Sequence, residues 1–90
     1  SDGTLVKEPN TKEAEKHLDL AIKLNPKFDK AYYRRGLLLK KKGDFINAFK
    51  DLESAIKLNS SYSKAHYSMA VLLMNNEANK VIGKHLKQKK

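Results

Sequence analysis

The sequence predicts an all-α chain of antiparallel helix–turn–helix units stacked one on the next. Three observations carry this. Apolar residues recur at spacings of three and four along successive segments, and no alternating strand pattern appears. Each segment is bounded by residues that start or stop helices: Asn10, Pro26, Asp29, Gly43 with Asp44, and Asn59-Ser60-Ser61. The segments also repeat. Ala14, Lys16, Leu18, Ala21, Ile22, Lys23, Leu24 and Asn25 return as Ala48, Lys50, Leu52, Ala55, Ile56, Lys57, Leu58 and Asn59, each 34 positions on. A gapless self-match means supersecondary units that share a continuous core.

The elements follow in order. Residues 1–9 carry Gly3 and Pro9 without a period, and are expected to be a loose N-terminal segment or a cloning scar. Asn10 is a good N-cap, with Glu13 at capping-box spacing. The first helix is expected to run to Leu24 on Ala14, Leu18, Ala21, Ile22 and Leu24. Asn25 is expected in a left-handed cap and Pro26 blocks continuation. The second helix is expected to start with Asp29 as its cap and to pack through Ala31, Tyr32, Arg35, Gly36, Leu38 and Leu39. Glycine within a helix costs about 1 kcal/mol against alanine, so Gly36 predicts the close approach of another helix. Arg35, among apolar neighbours, is expected to snorkel its charge outward.

Gly43 ends this helix and Asp44 caps the next, so the two must be antiparallel neighbours. The third helix is predicted over 45–58 on Phe45, Ala48, Phe49, Leu52, Ala55, Ile56 and Leu58. A fourth is predicted from Ser63 to Met74 or Asn75, where Asn75-Asn76 weakens helicity. A fifth is predicted from Ala78 to Lys87 on Val81, Ile82 and Leu86, and residues 87–90 are expected to fray as a basic tail.

The second and fourth helices repeat too: Lys30, Ala31, Tyr33, Leu38 and Leu39 return as Lys64, Ala65, Tyr67, Leu72 and Leu73. In period and in the run Tyr32, Gly36, Leu39, Gly43, Phe45, Ala48, Leu52, Ala55 and Leu58, residues 29–62 resemble the tetratricopeptide repeat. Arg35 departs from that family's usual leucine, and Ser60 from its common proline. The resemblance implies a short right-handed α-solenoid over 10–86. Residues 10–26 would be the second helix of an upstream repeat, 29–62 a complete repeat, and 63–86 a degenerate C-terminal repeat. In that last unit His66 replaces the early aromatic, Ala70 the glycine and Glu77 the turn glycine. It also implies a module that mediates protein–protein interaction and does not catalyse.

Composition agrees with a binding role. Lys and Arg number 19 against 10 Asp and Glu, for a net charge of +9, and the lysines are spread along the chain with denser runs at 40–42 and at the C-terminus. Such a balance suits solvated helix faces or an acidic partner. The absence of cysteine excludes disulfides, a thiolate zinc site and a cysteine nucleophile, and fits an intracellular, cytoplasmic setting. No apolar run spans a bilayer and no signal peptide is visible. His17, His66 and His85 share no ligating pattern, and no phosphate loop or nucleophile motif occurs, so neither metal nor cofactor is expected.

The candidate site is a basic groove. Residues four apart share a helix face, so Lys30 and Arg34 point together, with Tyr33 and Leu37 beside them. By the resemblance, the groove is lined by Lys30, Tyr33, Arg34, Leu37 and Lys41 from one unit. The next unit adds Lys64, Tyr67, Ser68 and Val71, with Asn75 at its end. Cations hold carboxylates, tyrosine offers apolar area with a hydroxyl, and Leu37 and Val71 accept an aliphatic side chain. The expected partner is a protein or acidic peptide. The run Lys30-Ala31-Tyr32-Tyr33-Arg34-Arg35-Gly36 also resembles the part of a co-chaperone carboxylate clamp that grips the acidic C-terminal tails of heat-shock chaperones. That clamp needs a further Lys and two Asn from upstream repeats. Two other readings stand beside it: weak nucleic-acid or anionic-surface binding through Lys40–Lys42, Lys84, Lys87, Lys89 and Lys90, and self-association through the open repeat ends.

Overall fold

The computed structural model describes residues 11–88. They form five helices: α1 (Thr11–Leu24), α2 (Asp29–Lys42), α3 (Phe45–Leu58), α4 (Ser63–Met74) and α5 (Asn76–Gln88). No strand occurs among the described residues. The loose segment 1–9, the cap at Asn10 and the last residues of the basic tail lie outside them. Lys87 and Gln88, expected to fray, belong to α5.

The helices stack as a short solenoid whose densest pairing is α2 against α3, with α1 on one side and α4 and α5 on the other. The core joins Leu39 of α2, Ala48 and Leu52 of α3, Leu72 of α4, and Ala78 and Ile82 of α5. Tyr33, Phe45, Phe49 and Met69 pack against it. Gly36 lies where α2 crosses α3. A Cβ there would stand 3.1 Å from Leu52 Cγ and 3.3 Å from the Ala48 carbonyl oxygen, so the glycine permits the close packing. Gly43 takes the left-handed conformation, φ 87°. The Gly43 and Asp44 amides return to the Lys40 and Leu39 carbonyls, at 3.0 and 2.9 Å, and close α2. Asp44 caps α3, its carboxylate accepting from the Asn47 amide and side chain.

The turn between units is built twice. Asn25 N–H donates to Ala21 O at 2.9 Å, and Asn59 N–H to Ala55 O at 3.0 Å. Asn25 Oδ1 accepts from Lys27 N–H, as Asn59 Oδ1 does from Ser61 N–H. The Phe28 and Tyr62 amides return to the Asn25 and Asn59 carbonyls, both at 3.0 Å. Tyr32 Oη then donates to Pro26 O at 3.0 Å, and His66 Nε2 stands 2.8 Å from Ser60 O. A carbonyl only accepts, so that His66 nitrogen carries the proton. His66 therefore keeps the polar end of the aromatic it replaces.

Three local expectations need correction. Asn25 is not left-handed; no described residue other than glycine has positive φ. Its side chain closes an Asx turn, which ends the helix without that conformation. Asp29 is not the cap of α2 but its first residue, after Phe28. Its carboxylate accepts from Lys30 N–H at 2.8 Å and from Asn59 Nδ2 at 3.0 Å, tying the start of α2 to the end of α3. Finally, Asn75 does not merely weaken a helix. Its Oδ1 accepts from Ala78 N–H at 3.0 Å, an N-cap contact that starts α5 two residues early.

That early start changes the last unit. Ala78 and Ile82 bury themselves against α3 and α4, 30 positions after Ala48 and Leu52 rather than 34. The stripes differ as well: α2 buries Ala31, Gly36 and Leu39, while α4 buries Ala65, Ser68 and Leu72. Past Ala65 the covered face of α4 is therefore not the one that α2 covers.

Candidate functional site

Four of the predicted groove residues meet in one open trough of about 380 Å³ between α2 and the start of α4. Lys30, Tyr33 and Arg34 come from α2, and Lys64 from α4. The turn adds Asn59, Ser61, Tyr62 and Ser63. Tyr33 and Tyr62 form an aromatic floor, ring centroids 5.2 Å apart and tilted by 45°. Burial pushes the Tyr62 phenol up, with Asp29 and Tyr33 adding and Arg34 opposing. It stays a neutral hydroxyl able to donate. Lys30, Arg34 and Lys64 are exposed, and none is in an ion pair among the described residues. The first turn of α4 carries no acidic residue. The trough offers positive charge and hydroxyl donors around apolar rings, which suits an anionic, partly apolar ligand.

The other five residues lie elsewhere. Leu37 and Lys41, with Arg34 at the border, line a second depression of about 510 Å³ beside Ala14, His17, Leu18 and Leu38. Tyr67 is 73% exposed and lines neither depression. Val71 is half-buried. Ser68, expected on the groove at the position of Arg34, is only 7% exposed. It belongs to the covered face of α4, whereas Arg34 at the equivalent position of α2 is exposed.

The main polar feature that sequence reasoning missed is a clasp around Arg35. Its Nε and Nη2 donate to Asp51 Oδ2 and Oδ1 at 2.7 and 2.9 Å, and Nη1 donates to Asp19 Oδ1 at 2.8 Å. The charge does not snorkel outward as expected. It lies over the Tyr32 ring at 5.9 Å and joins α1, α2 and α3. Hydrogen bonding to Asp51 raises the guanidinium pKa most, against the cost of burial. Asp51 is 6% exposed, and a bidentate arginine compensates its burial. The signal was present in the sequence: an arginine on the packing stripe of α2 needs a carboxylate facing it, and α3 supplies one. Lys42 and Glu15 make a second tie between α2 and α1 at 2.8 Å.

Two remaining features are sparse. His85 Nε2 is buried without a hydrogen-bond partner. No group of three or more His, Cys, Asp or Glu among the described residues forms a metal-binding cluster, and none of their helices is long and apolar enough to cross a membrane. Among known proteins, the family model for the tetratricopeptide repeat matches residues 29–62. No curated protein and no solved structure matches the chain.

Proposed function

We propose, from the premise that residues 29–62 are a tetratricopeptide repeat, that this chain binds an acidic peptide of a partner protein in the trough between α2 and α4. Such repeats serve protein–protein interaction, and the trough gives that role a chemistry. The observation that carries the reading is the convergence of three unpaired cations, Lys30, Arg34 and Lys64, on the rings of Tyr33 and Tyr62. Arg34 holds a carboxylate by two parallel hydrogen bonds, and the lysines add point charge. The tyrosine rings hold an apolar side chain between acidic ones. Because Lys30 and Arg34 line one wall together, a free C-terminal carboxylate, as in an acidic chaperone tail, is the favoured form of the peptide.

Fluorescence anisotropy with acidic peptides tests this. Lys30→Ala, Arg34→Ala and Lys64→Ala should each weaken binding about fivefold to tenfold, and Tyr62→Ala by a similar factor. Amidating the terminal carboxylate should cost about tenfold. Binding should survive moderate salt in part, because the rings contribute an unscreened share. Complete loss between low and moderate salt would instead indicate phosphate-type contacts. Alanine variants that bind like the parent would remove the proposal.

A further inference from the structure

The trough has two walls of unequal build. One is α2, a regular helix; the other is the turn between α3 and α4, which carries Tyr62. That turn closes on itself, with Asn59 N–H returning to Ala55 O and Tyr62 N–H to Asn59 O, both at 3.0 Å. Neither bond reaches α2. The one hydrogen bond among the described residues that spans from this turn to α2 runs from Asn59 Nδ2 to Asp29 Oδ2, at 3.0 Å. Asp29 is the first residue of α2, and its other oxygen accepts from Lys30 N–H at 2.8 Å. Asn59 Oδ1 accepts in turn from the Ser61 N–H and hydroxyl, at 3.3 and 3.2 Å. Asp29, Asn59 and Ser61 thus form a chain of hydrogen bonds from one wall to the other.

Asp29 also brings a negative charge to the edge of the trough. Its carboxylate adds, after burial, to the rise of the Tyr62 phenol. Yet it makes no ion pair with Lys30, Arg34 or Lys64 among the described residues. A carboxylate free to swing would pair with one of these cations and compete with the carboxylates of a ligand.

We infer, on the reading that this trough takes an acidic peptide, that Asn59 is its positioning residue. Through Asp29 it holds the turn wall against α2, and it keeps the Asp29 carboxylate off Lys30, Arg34 and Lys64. The bond itself can be reversed, since an amide and a carboxylate have the same shape. Asp29→Asn combined with Asn59→Asp exchanges donor and acceptor. The new amide donates to the new carboxylate and still accepts from Lys30 N–H, while the new carboxylate still serves Ser61. The net charge is that of the parent.

Asp29→Asn alone separates this role from simple electrostatics. It removes a negative charge beside a basic trough, so charge alone would tighten an acidic peptide. The bond predicts the opposite, because one amide oxygen cannot serve both Lys30 N–H and Asn59 Nδ2 as two carboxylate oxygens do. Fluorescence anisotropy on the whole chain, well below the melting transition of every variant, reads the difference. Asp29→Asn should weaken binding about threefold to tenfold, and Asn59→Asp at least as much. The double exchange should return to within about twofold of the parent. Asn25→Asp, in the twin turn, should bind like the parent, since that side chain serves only its own turn among the described residues. A second measurement needs no peptide: the nuclear Overhauser contact between the Tyr33 and Tyr62 rings should weaken in each single variant and return in the double exchange.

Unchanged or tighter binding by Asp29→Asn would overturn the inference, as would a double exchange that binds as weakly as Asn59→Asp. Ring contacts that neither single variant disturbs would overturn it too. A parent chain that binds no acidic peptide, with ring contacts that still follow the exchange, would sink the peptide reading and uphold the positioning of the wall.

Discussion

The turn leading into α2 and the turn leading into α4 are the same object made twice, whereas the turns leading out of those helices are not. Residues 25–32 and 59–66 share their backbone hydrogen bonds, their asparagine turn and a side-chain contact to the carbonyl six residues back, even where tyrosine gives way to histidine. On the other side, Gly43 and Asp44 make a two-residue link with a left-handed glycine, while Asn75 alone joins α4 to α5. The period of 34 is therefore kept where units join and lost inside the last unit. The difference teaches what each joint does. The between-unit turn sets how one unit sits on the next, and local hydrogen bonds suffice to hold it. The within-unit link sets the depth at which two helices engage, and shortening it lets α5 reach α3 as well as α4.

Substitutions at equivalent positions test this comparison. The largest contrast should be between Leu52→Ala and Leu86→Ala, 34 positions apart. Leu52 is fully buried and its truncation should cost about 2–5 kcal/mol. Leu86 is 48% exposed and should cost less than about 1 kcal/mol. Urea denaturation of the two variants decides it, and equal losses would mean that α5 packs in the register of α3 after all.

A smaller contrast is expected between Asp51→Ala and His85→Ala, again equivalent positions. Asp51→Ala leaves Arg35 with Asp19 alone and should cost about 2–3 kcal/mol. His85→Ala removes a nitrogen that has no partner and should stay within about 1 kcal/mol. A thermal melt showing His85→Ala as the worse of the two would break the contrast. The smallest effect belongs to the twin turns. Tyr32→Phe and His66→Phe each delete one hydrogen bond to a carbonyl six residues back, and each should cost about 0.5–1.5 kcal/mol. Their near equality is what matters, since a large disparity would mean that the two turns only look alike.

Much of this was legible in the sequence. The apolar spacing predicts α3 to the residue, and it places α1, α2 and α4 within a residue or two. The repeat predicts the stacking, and Gly36 predicts a close crossing by its cost alone. What escaped prediction depends on partners far along the chain. Whether Arg35 turns inward is decided by Asp19 and Asp51, on two other helices. Whether Ser68 faces the groove is decided by which face of α4 its neighbours cover, and the early start of α5 changes those neighbours. Leu24 and Leu58 look like ordinary members of their apolar stripes but are exposed, because each is the last residue of its helix. In the site, spacing brings Lys30, Tyr33 and Arg34 together. It does not separate them from Leu37 and Lys41, which share the helix but face α1.

The Arg35 clasp also bears on the order in which the stack comes apart. The helices α1 and α3 do not pack on each other, and α1 has no fully buried residue. Among the described residues, α1 is fastened by half-covered apolar side chains and by the ion pairs of Arg35 with Asp19 and Lys42 with Glu15. Ions weaken such partly exposed pairs and leave the apolar core alone. As ionic strength rises, the first helix is therefore the one to peel, its amides exchanging with solvent while those of α3 stay protected. One guanidinium thus acts as the hasp of the stack: still gripped by Asp51, it keeps its place on α3 after the outer helix has swung away.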